Sequence, residues 1–144
     1  MKLLNYVFFA FMLFPINIWA QPPVETDVIE EANIIRYKGG KEYVLQHSEI
    51  SDRIKKSILD GKVLLGMCTL EAYAAAGGEF LYKLQADPKW GNGYFPPAVI
   101  FSQCKVPDSS KISMFFTNST QFETKVPARF EVLFENGKAT KITR

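Results

Sequence analysis

"DGKVLLGMCTLEAYAAAGG", residues 60–78, sets Gly61, Gly66, Gly77 and Gly78 around one short helix-forming run and places Cys68 at its mouth. Cys68 or Thr69 opens the run, and Thr69 is a competent N-cap. Leu70 and Glu71 fall in the first turn, and Gly77-Gly78 supply the left-handed backbone that stops a helix. The middle, "AYAAA", is made of mostly small side chains, so this helix can lie with its backbone close to a neighbouring sheet or helix. Upstream, in "HSEISDRIKKSILDG" (47–61), Ile50, Ile54 and Ile58 recur every fourth residue and Leu59 widens the stripe. That spacing predicts an amphipathic helix over about 49–60, capped by Ser48 or Ser51 and closed by Gly61.

Downstream the period changes to two. "EFLYKLQ" (79–85) alternates Phe80, Tyr82 and Leu84 against Lys83 and Gln85, while "PAVIFSQC" (97–104) and "KISMFF" (111–116) are shorter apolar runs that read as strands. "ARFEVLFENGKATKITR" (128–144) pairs Phe130, Val132 and Phe134 with Ile142 across Asn136-Gly137, the strongest short-range hairpin signal there is. The predicted fold is α+β: two short N-terminal helices packed on an antiparallel β-sheet that ends in a β-hairpin, forming one domain over 48–144.

Ahead of that domain, "NIIRYKGGKEYVLQ" (33–46) reads as two β-prone runs around Gly39-Gly40, a pair suited to a hairpin turn. Residues 21–35 hold Glu25, Asp27, Glu30 and Glu31 with no basic residue, so 21–47 is expected to be an acidic arm, solvated or docking, with a hairpin. The first twenty residues have Lys2 as their one charge, then the apolar "LLNYVFFAFMLFPI" and "IWA". This is the layout of a secretory signal peptide cut after Ala20; a retained membrane anchor is the competing reading, weakened by Asn5, Pro15 and Asn17. Cleavage leaves 124 residues, one domain's worth, with no stable membrane anchor and 16 basic against 15 acidic side chains. So even a balance argues against a nucleic-acid partner, which calls for a clustered basic face.

In an exported chain, Cys68 and Cys104 are expected to pair, because oxidising compartments favour disulfides; two buried free thiols are the alternative. The bond would close a loop of about 37 residues and contribute on the order of 4 kcal/mol through the unfolded chain's lost entropy. Two cysteines and a single histidine, without close spacing, do not make a tetrahedral metal set, so no metal or other cofactor is expected.

"GMCTLEAYAAAG" (66–77) resembles the Gly-Met-Thr-x-x-x-Val-x-x-x-Leu-Gly helix signature of the SmpA/OmlA family of small outer-membrane lipoproteins, which includes the BamE component of the β-barrel assembly machinery. "SDRIKKSILDGKVLLGM" looks like the helix that precedes it there, and "FEVLFENGKATKI" is similar to that family's final hairpin. The resemblance covers 48–144 in outline with an expanded middle. It departs at Cys68, where the family usually has threonine, and at Ala72 and Ala76, where it has larger aliphatics. No proline follows Gly77, and the lipid-anchoring cysteine is missing. The resemblance implies a helix pair on a sheet and a place in envelope or outer-membrane protein assembly. The same unit also builds secreted enzyme inhibitors.

Residues suited to catalysis are sparse. His47 is the single histidine and stands beside Ser48 at a helix entrance, where capping or a solvent-facing ring explains it. A helix-start thiol such as Cys68 can be a nucleophile, but pairing with Cys104 would remove it. No phosphate-cradling glycine loop is present, and no catalytic residue is nominated. The stretch best suited to a partner is "DPKWGNGYFPP" (87–97), where Trp90, Tyr94 and Phe95 lie among prolines and glycines. Either these rings fold back to cap the core or they form a contact surface. In "FTNSTQFETKVP" (116–127), Asn118-Ser119-Thr120 is a glycan-acceptor pattern in a eukaryotic secretory route and an ordinary turn elsewhere. The expectation is therefore a non-catalytic periplasmic or secreted module that holds a protein partner through its sheet face or the 87–97 loop. The alternative is a secreted inhibitor that inserts this loop into an enzyme's cleft.

Overall fold

The computed structural model describes residue 22, residues 24–91 and residues 93–144; the signal segment expected over 1–20 lies outside them. The two predicted helices are there, α3 (Asp52–Leu59) and α4 (Thr69–Ala76). Ser51 caps α3 by accepting the Ile54 N–H at 3.4 Å, and Gly61 takes φ 71° after its last turn. At the start of α4 the Glu71 carboxylate reaches back to accept the Cys68 N–H at 2.9 Å, so Cys68 is the N-cap. Thr69 lies one residue inside, and its hydroxyl donates to the Ile100 carbonyl at 2.7 Å.

Four strands form an antiparallel meander in the order β1 (Leu81–Gln85), β2 (Lys111–Asn118), β3 (Ala128–Glu135) and β4 (Lys138–Thr143). Asn136 and Gly137, at φ 49° and 74°, make the final turn. Period-two patterning gives the sheet an inner face of Ile112, Met114, Phe116, Phe130, Val132, Phe134 and Ala139, all buried. These join one core with Leu70 and Tyr73 of α4.

The expectations for 33–46, for the acidic stretch and for 97–104 are corrected. Residues 33–46 form no hairpin: they belong to α1 (Thr26–Lys38) and α2 (Gly40–Gln46), and the acidic stretch is helical from Thr26 onward rather than a solvated tail. Gly39, at φ 86°, closes α1 by donating its N–H to Ile35, and a Cβ on Gly40 would overlap the Ala74 carbonyl oxygen. The glycine pair thus turns a corner between helices and lets α2 start against the small-residue α4. Val28 and Ile35, two turns apart on α1, and Tyr43 of α2 sit in the same core as the sheet, and this burial overrides the local β preference. Residues 97–104 are not a strand either, because α5 (Pro97–Ser102) begins with proline at its first position and buries Val99, Ile100 and Phe101 in succession. The helices therefore number five among the described residues, and α5 interrupts the strands rather than preceding them.

Cys68 and Cys104 form the expected disulfide, with Cα atoms 5.2 Å apart. Cys104 lies in the turn after α5, so the bond ties the mouth of α4 to that turn and not to a strand end.

Candidate interaction site

The two outer strands of the sheet meet different surroundings. Beside β4, the Gly66 N–H donates to the Ala139 carbonyl and the Ala139 N–H donates to the Met67 carbonyl, both at 2.8 Å, so the connector before α4 pairs with that edge. β1 has β2 on one side, and on the other no backbone hydrogen bond joins it to a described residue. An edge left this way presents free backbone donors and acceptors.

The 87–97 stretch runs next to that edge. Asp87 starts a short 3₁₀ turn, Pro88–Trp90, accepting from the Lys89 N–H at 3.0 Å and the Ser109 hydroxyl at 2.7 Å. The Lys89 amide bond, reinforced by Ser109, holds the Asp87 carboxyl below the usual carboxylate range. Trp90 is half-buried, its indole N–H donating to Asp108 at 2.9 Å and its ring lying 4.6 Å from the Lys89 ammonium. Burial alone would raise the Asp108 pKa, but hydrogen bonds from Ser110, Trp90 and Gln103 outweigh it and lower the carboxyl's pKa.

Beyond Trp90 the chain returns along β1. The Tyr82 hydroxyl donates to the Phe95 carbonyl at 2.7 Å, and burial, together with the nearby Tyr94 hydroxyl, pushes the Tyr82 phenol up to about 12. Tyr94 stands out into solvent at 87 % exposure, and Phe95 is half-buried. Tyr94 and Phe95, with Phe80, Leu81, Tyr82 and Leu84, line an apolar cleft of about 340 Å³. The fold thus brings two of the three sequence-nominated rings together, while Trp90 lies outside the cleft and anchors the loop's base.

Sequence reasoning named the sheet face as a contact surface but not which residues of β1 and its neighbours share it. In register, Leu81, Phe115, Glu131 and Thr143 form one row, and Lys83, Ser113, Leu133 and Lys141 the next. The Phe115 ring has the Lys83 ammonium at 5.6 Å and the Arg129 guanidinium at 4.8 Å. Leu81 is 63 % exposed. The alternation in "EFLYKLQ" set Lys83 opposite Tyr82, but the neighbours that share its face come from strand order, which no local pattern encodes.

A second, more polar cavity of about 450 Å³ holds His47, Glu31, Glu49, Glu71, Lys105 and both cysteines among its walls. The His47 ring packs tilted against Tyr43, centroids 4.4 Å apart, with Glu49 at 2.6 Å from one ring nitrogen and Glu31 at 3.8 Å from the other. Burial, with Glu31 next in weight, pushes the Tyr43 phenol well above its ordinary value. Carboxylates face both imidazole nitrogens, and both sulfurs are joined in the disulfide. No three His, Cys, Asp or Glu side chains among the described residues are grouped to hold a metal ion.

The acceptor-patterned Asn118 is a clamp. Its amide nitrogen donates to the carbonyls of Gly61 and Ala76, at 3.3 and 3.2 Å, joining the end of β2 to the ends of α3 and α4.

No protein-family model matches this chain, and no curated protein or solved structure does so either. The likeness of 66–77 and the final hairpin to the SmpA/OmlA lipoproteins therefore rests on those motifs alone. No helix among the described residues is long and apolar enough to cross a membrane.

Proposed function

We propose that the chain is a non-catalytic protein-interaction module of an oxidising, exported compartment, and that it holds its partner at the β1 edge and the 93–95 segment. The observation that carries this reading is the pairing of an open strand edge with Tyr94 and Leu81, two large side chains exposed at the rim of one apolar cleft. Exposed apolar groups gathered around a concavity mark interaction surfaces, and tyrosine is a frequent anchor there. The Cys68–Cys104 disulfide supports the compartment, since such bonds persist where thiols are oxidised. The motif likeness supports an envelope setting and a role near outer-membrane protein assembly.

The test is affinity capture from an envelope extract with the exported chain, run beside Tyr94→Ala and Leu81→Ala in one variant. A partner retained by the parent and lost by the folded variant is the expected result; identical retention by both would remove this site from the proposal. The projection of Tyr94 from a loop also favours the inhibitor reading. That reading predicts that the captured partner is a soluble enzyme whose activity falls on binding, whereas an assembly module leaves any partner's chemistry untouched.

A further inference from the structure

We infer that the partner binds β1 by strand addition, as an extended protein segment whose residues alternate apolar and acidic. This inference rests on the interaction-module reading and specifies what the module holds.

β1 offers different chemistry on its two faces. Tyr82 and Leu84 point to the side of the 340 Å³ cleft, where Phe80, Tyr94 and Phe95 complete an apolar wall. Lys83 and Gln85 point to the opposite face, and Leu81, in register with Phe115 on that side, also lines the mouth of the cleft. A strand laid along this edge sends alternate side chains to these two sides, because successive residues of a strand face opposite ways. The main chain then supplies hydrogen bonds, and the side chains supply selectivity. Residues facing the cleft must be apolar to fill it.

Charge decides the other side. Lys83 is the exposed centre of β1, and Phe115 lies between it and Arg129. Of the carboxylates on the outer face, Glu135 is engaged by Lys111 at 3.5 Å. Glu131 lies in the row of Leu81 and Phe115, with β2 separating it from the β1 edge. No carboxylate among the described residues pairs with Lys83 or Arg129 by an ion pair, so an incoming strand meets uncompensated positive charge, which an aspartate or glutamate opposite Lys83 would complement. The same lysine selects against a second copy of this chain: an antiparallel β1–β1 pair centred on the strand sets Lys83 against Lys83. Thus Lys83 guards the edge against self-pairing while admitting an acidic strand.

The test uses the exported chain with isotope-labelled amides and two capped eight-residue peptides, one alternating valine with glutamate and one alternating valine with lysine. The valine–glutamate peptide should slow exchange of amides within 81–85 and shift the resonances of 93–95. It should bind about fivefold more tightly than the lysine peptide, the difference expected from one or two cross-strand charge pairs. Lys83→Glu, a surface change that leaves the core intact, should invert the preference. Equal binding of both peptides, an unchanged preference in Lys83→Glu, or unprotected β1 amides at millimolar peptide would overturn the inference. Should β1 remain unprotected while capture of a partner still depends on Tyr94, strand addition is wrong and the module reading stands. If Tyr94 dependence also vanishes, both are wrong.

Discussion

At the β4 edge, Gly66 and Met67 exchange two backbone hydrogen bonds with Ala139, Met67 is fully buried, and the next residue is locked into a disulfide. At the β1 edge, Leu81 is mostly exposed, and an aromatic loop stands beside the strand with no backbone bond to it among the described residues. One edge is joined to the helices by backbone pairing, covalent bonding and burial; the other meets its loop through side chains, with the Tyr82 hydroxyl donating to the Phe95 carbonyl. The difference shows where this fold places rigidity and where it leaves valence. Stability should be concentrated near 66–68 and binding near 81–95.

The comparison can be broken most severely at the disulfide. Cys68→Ala with Cys104→Ala should lower unfolding free energy by about 4 kcal/mol, since the closed loop no longer limits the unfolded chain. Urea denaturation measures it, and a loss below about 1 kcal/mol would show that the staple is dispensable. Next is Met67→Ala, which deletes a fully buried side chain beside the paired edge and should cost roughly 3 kcal/mol. A cost within about 0.5 kcal/mol, ordinary for surface substitutions, would mean the two edges are energetically alike.

How much of this contrast was legible beforehand follows from the range of the interactions. The periods of α3, α4 and the final hairpin are local, and so they were readable from "SDRIKKSILDG", "TLEAYAAAGG" and "FENG". The disulfide followed from the expectation of export and the cysteine count. The corner at Gly39-Gly40 was misread because positive φ serves a hairpin and a helix end equally well, and the contact that decides between them, Gly40 against Ala74, spans 34 residues of sequence. "PAVIFSQC" was misread because a short run buried on consecutive positions has no period to distinguish strand from helix. In the candidate site, the rings of the 87–97 loop could be named, but Trp90's anchor on Asp108 and the row shared by Lys83 with β2 and β3 depend on chain pairings that only the folded topology creates.

Acid should separate the two edges through their chemistry. Asp108, and with it Asp87, has its folded pKa depressed by hydrogen bonds, so the stabilisation each gives is present above the unfolded carboxylate value of about 3.9 and is lost as pH falls through the lower folded value. The Gly66–Ala139 pairing contains no titrating group. On acidification from pH 7, the Trp90 indole N–H resonance should hold until about pH 4 and move below it, while the Ala139 amide stays protected. Simultaneous loss of both signals would report global unfolding and erase the distinction. Asp108→Asn should mimic the acid form at neutral pH, costing about 1 kcal/mol by weakening the bond to the indole.

The smallest effect on stability is the one that bears most on function. Leu81 is 63 % exposed and Tyr94 is 87 % exposed, so replacing both with alanine removes little area that folding buries. Unfolding free energy should change by no more than about 0.5 kcal/mol, as for surface positions generally. Exposed side chains of this size are stabilised by a partner or by nothing, and binding is where their removal should register. If the double variant unfolds more than about 2 kcal/mol earlier, Leu81 and Tyr94 belong to the core's cover and the open edge is a structural margin. If it keeps its stability and loses its partner, the β1 edge and its aromatic rim are the surface for which the rest of the fold supplies a frame.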